Sequence, residues 1–163
     1  ETGKGSTFNI YIPIIKTARK IPGKKSPGKL RGGNERILVV DDEKAIVELE
    51  CKMLEPLGYK VTTFTDCEKA LNAFKTNPDR YDIVITDMTM PKLTGLDFSK
   101  QILKQKPGIP ICLCTGYSEM VSKEITTTIG IRKLIIKPIS RQKLASAIRE
   151  VLDKNNPTDF SGG

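Results

Sequence analysis

From Ile37 to about Asp153 the chain alternates short apolar runs with stretches whose apolar residues recur at helical spacing. Ile37-Leu38-Val39-Val40 is rich in β-branched residues and lacks polar alternation, as a strand buried on both faces requires. Ile46, Leu49, Met53 and Leu57 then fall on a helical period across Ala45 to Leu57, and Gly58 stops that helix. The same pairing of strand and helix repeats. Lys60 to Phe64 reads as a strand, and Asp66 caps a helix carrying Ala70, Leu71 and Phe74, which ends before Pro78. Tyr81 to Thr86 is a third strand, followed by a helix over Leu96 to Lys106 that Pro107-Gly108 breaks. A strand over Pro110 to Cys114 precedes a helix from Met120 to Ile129, ended by Gly130. Leu134 to Ile136 is the fifth strand, and Ser140 caps a last helix burying Leu144, Ala147, Ile148, Val151 and Leu152. Five strands alternating with five helices predict an α/β fold, with a parallel sheet covered on both faces.

At 163 residues there is room for this one domain and some additional chain. Phe8, Ile10, Ile12 and Ile14 alternate in residues 1–15, as a half-buried strand would. Residues 16–35 are rich in Lys, Arg, Gly and Pro with little to bury, which predicts a basic flexible linker. Residues 155–163 read as a disordered tail. The formal net charge of +8 invites a nucleic-acid-binding reading. Its distribution argues otherwise. Lys16, Arg19, Lys20, Lys24, Lys25, Lys29, Arg31 and Arg36 against Glu35 concentrate a net +7 in residues 16–36, leaving +1 for residues 37–163. With no Trp and few aromatics to stack on bases, no nucleic-acid contact by the folded unit is expected.

The chain has no histidine, which excludes imidazole base catalysis, imidazole metal ligation and a phosphohistidine of its own. Cys51, Cys67, Cys112 and Cys114 form no CxxC pair, so buried structural thiols in a reducing compartment are expected. No apolar run approaches the ~20 residues of a membrane span, so no membrane contact by this segment is expected.

In doubly wound sheets ligands bind beyond the carboxyl ends of the strands. There the first strand runs into Asp41-Asp42-Glu43, the third into Asp87, the fourth into Thr115, and the fifth into Lys137-Pro138. Carboxylates crowded on one sheet edge repel each other unless a cation intervenes. A hard ion such as Mg²⁺, held by one or two carboxylates plus waters, suits that set.

Val39-Val40-Asp41-Asp42-Glu43, Asp87-Met88-Thr89-Met90-Pro91 with Gly95, Thr115-Gly116 and Lys137-Pro138, in this order, resemble the receiver domain of two-component response regulators. The resemblance covers 36–154 and implies a flavodoxin-like, doubly wound five-stranded parallel sheet of order 2-1-3-4-5 with five helices. It also implies roles. Asp87 is the expected phosphoacceptor, and Asp41, Asp42, Asp87 and the backbone carbonyl of Thr89 are the expected Mg²⁺ ligands. Thr115 and Lys137 would contact phosphoryl oxygens, Gly116 would keep Asp87 accessible, and a cis bond is expected before Pro138. One position departs: receivers often carry Tyr or Phe three residues before the lysine, where this chain has Leu134. An aromatic rotamer switch is therefore not expected.

Glu1-Thr2-Gly3-Lys4-Gly5-Ser6-Thr7-Phe8, with the strand and Pro13 after it, resembles the last glycine box and final strand of a histidine-kinase ATP-binding domain. That implies the C-terminal end of a hybrid sensor histidine kinase, cytoplasmic, in a parent protein that can be membrane-anchored. The implied partners are a histidine-kinase phosphodonor domain, in cis or in trans, and a histidine phosphotransfer protein. A stand-alone response regulator is the alternative, although the short stretch after Asp153 is not expected to hold a DNA-binding effector. Other strand-end acid sites fit less well. A haloacid-dehalogenase-type phosphatase needs a second Asp where Thr89 stands, and Asp41-Asp42-Glu43 would repel a flavin phosphate. Gly3-Lys4-Gly5-Ser6 lacks the spacing of a phosphate-binding loop.

Overall fold

The computed structural model describes Gly5 and residues 8–11, 30–116 and 123–153, excepting the side chains of 123–125. In chain order the elements are β1 (Arg36–Val40), α1 (Lys44–Leu54), β2 (Lys60–Phe64), α2 (Cys67–Thr76), β3 (Ile83–Asp87), α3 (Gly95–Gln105), β4 (Ile111–Thr115), α4 (Lys123–Ile129), β5 (Lys133–Ile136) and α5 (Arg141–Asp153). All four strand pairings are parallel, and the order is β2-β1-β3-β4-β5. The chain therefore has the doubly wound architecture that its alternation predicts.

The apolar runs are explained by two cores. Leu38, Val40, Val84, Ile111 and Leu113 point to one side of the sheet, against Phe74 of α2 and Phe98 and Ile102 of α3. Ile37, Val39, Ile83, Ile85, Cys112 and Cys114 point to the other side, against Val47 and Leu54 of α1 and Leu144 and Ile148 of α5. A strand with period-two side chains can serve both cores only if every position is apolar. Cys67, Cys112 and Cys114 are buried free thiols and Cys51 is half-buried, in line with the structural role expected. Burial pushes the Cys112 thiol up to about 12.

The caps expected from sequence are present. The Asp66 carboxylate accepts the backbone N–H groups of Glu68 at 2.9 Å and Lys69 at 3.1 Å, starting α2. The Ser140 hydroxyl accepts the Lys143 N–H at 3.3 Å, starting α5. Gly58 ends the turn after α1 at φ 97°, a left-handed conformation that favours glycine.

Three expectations need correcting or bounding. In α1 the buried residues are Val47, Glu50 and Leu54, while Leu49 is 47% exposed. The helix carries two apolar stripes, and the sheet takes the one that contains an acid. At the N-terminus, residues 8–11 belong to no strand, and Phe8, Ile10 and Tyr11 are exposed. Ile12 and Ile14 lie outside the described residues, as do 16–29, 117–122 and 154–163, which take in the first residues of the fourth predicted helix, most of the predicted linker and the predicted tail. Finally, residues 30–35, assigned to the linker by composition, pack on the fold. Gly33 N–H donates to Leu57 O at 3.1 Å, and Lys60 N–H donates to Glu35 O at 3.0 Å. Composition reads Gly and charge as solvated chain, whereas here glycine permits close backbone approach.

Candidate phosphoacceptor site

Register delivers the site residues to one edge. Val40 pairs with Thr86, so Asp41 and Asp87 leave adjacent strands side by side. Asp87 pairs with Cys114 on the other flank, and Thr115 pairs with Ile136 one residue before Lys137. Asp41, Asp87 and Thr115 are each more than nine-tenths buried, while Asp42 is exposed at the rim.

Lys137 is the centre of charge. Its Nζ lies 2.6 Å from Asp87 Oδ1 and donates to Asp41 Oδ2 at 3.1 Å. Burial alone would lower the Lys137 pKa, but the bonds to Asp87 and Asp41 and their charges outweigh it and hold the ammonium well above its usual range. The remaining carboxylate oxygens also have partners. Asp41 Oδ1 accepts the Glu43 N–H at 2.9 Å, and Asp87 Oδ2 accepts the Thr89 N–H at 2.8 Å. These bonds fix the rotamers of both acids. The Thr115 hydroxyl donates to Gly116 O at 3.2 Å. The Lys137–Pro138 bond is cis, as expected.

The loop after Asp87 is held from behind. Gly95 donates its N–H to Met88 O at 2.7 Å, and a Cβ there would meet Asp87 O at 2.1 Å and Leu113 Cδ1 at 2.7 Å. Only glycine lets α3 begin so close to the acceptor strand. Lys92, at φ 72°, lies 3.6 Å from Asp66 and pairs with Glu68, while the Cys67 thiol donates to Pro91 O at 3.3 Å.

Two features escape a motif reading. Glu50 of α1 is 4% exposed, and burial, followed by the Asp41 charge, raises its carboxyl to about 7 against the opposing pull of Lys137. The available signal was an acid at i+3 within the stripe Val47, Glu50, Leu54. The second feature is a groove of about 270 Å³ beside Lys137, lined by Ile46, Leu49, Glu50, Met53, Pro138 and Ile139. Leu134, at the position of the absent aromatic, packs half-buried against the α3-side core.

Hard oxygen donors around one ammonium fit a hard cation coordinated by one or two carboxylates and waters. Among the described residues no three acid or thiol side chains converge into a complete metal cage, so water would complete the coordination. Asp41 and Asp87 would be the protein's buried contribution, while Asp42 stands exposed at the rim.

The doubly wound fold, with paired strand-end aspartates and a lysine bridging them, defines a receiver-type domain. Residues 37–149 match the response regulator receiver domain, and the chain belongs to that family. Among relatives, it is 34% identical over 122 residues to the alkaline phosphatase synthesis transcriptional regulatory protein PhoP of Bacillus subtilis, covering 75% of this chain and 50% of PhoP. It is 27% identical over 164 residues to the sensor kinase CckA of Brucella abortus, covering 96% of this chain and 17% of CckA. A response regulator receiver domain protein from Clostridium thermocellum superposes with a TM-score of 0.70 at 32% identity, over 74% of this chain and 96% of that one. The chain thus spans half, or much less, of these curated relatives.

Proposed function

We propose that this chain accepts a phosphoryl group from a phosphohistidine onto Asp87, dependent on Mg²⁺, as the receiver of a hybrid sensor histidine kinase. The observation that carries the chemistry is the Asp87 carboxylate, buried and oriented by the Thr89 N–H, with Lys137 at 2.6 Å. An Asp87 oxygen attacks phosphorus in line; the P–N bond to the donor imidazole breaks, and the imidazole nitrogen takes up a proton. Lys137 passes from the Asp87 carboxylate to a phosphoryl oxygen, and the Thr115 hydroxyl turns from Gly116 O toward another. Asp41, Asp42, Asp87 and the Thr89 carbonyl would hold Mg²⁺, which supplies neutralising charge for the anionic donor when bound. The groove lined by Ile46, Leu49, Met53, Pro138 and Ile139 gives a donor domain an apolar surface beside the acceptor.

The hybrid context rests on the CckA similarity, which covers 96% of the chain and therefore extends beyond the receiver into the N-terminal segment. In that reading residues 1–15 close a kinase ATP-binding domain, and 16–29 tether it to the receiver. The module is cytoplasmic, takes phosphoryl groups from the kinase in cis or trans, and passes them to a histidine phosphotransfer protein. The PhoP similarity favours a stand-alone regulator as the second reading, but it stops at 75% of the chain.

Incubation with acetyl phosphate and Mg²⁺ tests the chemistry. Intact mass rises by one phosphoryl group, and Asp87→Asn blocks the gain. An unmodified wild-type chain would overturn the assignment. Tight duplex DNA binding by the full chain at physiological salt would favour a nucleic-acid role instead.

A further inference from the structure

We infer that residues 30–35 form a releasable strap, which closes the end of the sheet opposite Asp87 and roots the upstream chain there. This inference is independent of the phosphoryl chemistry. β1 starts at Arg36 and α5 ends at Asp153, so both lie at the pole where parallel strands begin, away from the acceptor. The strap crosses that pole on a surface built to receive it. A Cβ on Gly32 would meet Leu57 O at 1.8 Å, and one on Gly33 would meet Glu35 Oε2 at 1.9 Å. A Cβ on Gly58, at φ 97°, would meet Gly33 O at 2.5 Å. Two glycine backbones thus lie in direct contact, which a freely solvated linker would not require.

The side chains close the strap. Arg149 of α5 pairs with Glu35, its guanidinium carbon sits 5.5 Å from the centre of the Tyr59 ring, and Arg31 pairs with Asp153 at 3.1 Å. Arg149 and Glu35 are 14% and 24% exposed, so their pair is far better shielded than the 76%-exposed Arg31. Burial alone would lower the Arg149 pKa, but the Glu35 bond and the charges around it raise it overall.

The closure is imperfect in a way that makes it releasable. Among the described residues, Glu35 Oε2 and Arg149 Nε are buried without a hydrogen-bond partner. Each such atom regains a partner from water on opening, which offsets much of what the ion pair contributes. The strap is therefore held shut by two backbone hydrogen bonds, by shape at the glycines and by one shielded ion pair. Residues 30–35 belong to neither core and touch the α1/α5-side core at its edge, through Leu57 and Tyr59, so the strap can open as a unit of its own.

Amide hydrogen exchange on the full chain tests this. In the wild type, Gly33 and Lys60 amides exchange at least tenfold slower than free-chain rates. They exchange faster than those of β3, because the strap opens alone. Gly32→Ala, harmless in a linker, returns residues 30–35 to free-chain rates while Ile83–Asp87 stay protected. Arg149→Lys keeps the charge but loses the guanidinium fork, and lowers strap protection severalfold with β3 unchanged. This second variant decides the matter if Gly32→Ala unfolds the chain. Free-chain exchange at Gly33 in the wild type would overturn the strap, as would unchanged protection in Arg149→Lys. Exchange of the strap and β3 at one common rate would overturn its release as a separate unit.

Discussion

The two poles of the sheet solve the problem of shielded charge in opposite ways. At the pole where strands begin, Arg149 meets Glu35 and Arg31 meets Asp153, cation for anion. At the pole where strands end, Asp41 and Asp87 share the ammonium of Lys137, with the buried Glu50 close enough to feel the charges of all three. Balanced pairs hold a chain segment in place. An unbalanced set stores repulsion that a cation from outside would relieve. The difference separates a structural use of charge from a chemical one within a single domain.

The largest expected effect sharpens this contrast through Glu50. Its folded pKa of about 7 lies above the ordinary carboxyl value of 4.5, so the folded state holds a proton that the unfolded state releases between those values. Stability should therefore fall as pH rises through that window, by about 3 kcal/mol in all, and stay lower above it. Urea midpoints from pH 4 to 8 in chelator check this, and Glu50→Gln should flatten the slope. Next comes Lys137→Ala. It leaves Asp41 and Asp87 without their cation and should cost about 2 kcal/mol, allowing for the lysine's partial exposure, with Mg²⁺ restoring much of the loss in thermal melts.

At the balanced pole, Glu35→Gln should cost about 1 kcal/mol, since the shielded Arg149 loses its anion. The smallest effect has the opposite sign. Asp87→Asn, which under the proposed function blocks phosphorylation, relieves repulsion and should leave stability unchanged or raise it by about 0.5 kcal/mol in calorimetry. A clear loss of stability in Asp87→Asn, matching that of Glu35→Gln, would break the distinction between the poles.

Most of the fold was legible because continuous apolar runs and helical spacing constrain each other over the whole domain. Asp41, Asp87, Thr115 and Lys137 were legible because strand ends are fixed by those runs, and a parallel register then brings them together. The rest depended on choices that local pattern leaves degenerate. In α1, two apolar stripes compete, and only the sheet's position selects Val47 and Leu54 over Leu49. The strap was missed because Gly32 and Gly33 read as solvated linker, although their lack of side chains is what allows Leu57 and Gly58 to approach. Glu50 was missed because an acid on a helix is normally solvated.

The position of Asp87 on the central strand has a kinetic consequence. Among the described residues, β1 and β4 flank Asp87 and α3 starts against its backbone at Gly95, which leaves the space beyond the strand ends as its approach. If Asp87 is the acceptor proposed above, a protein that delivers a phosphoryl group and a separate protein that removes it would use the same doorway. They take turns. Transfer through this domain should show double-displacement kinetics, with each partner inhibiting the other at high concentration and no ternary complex on the path.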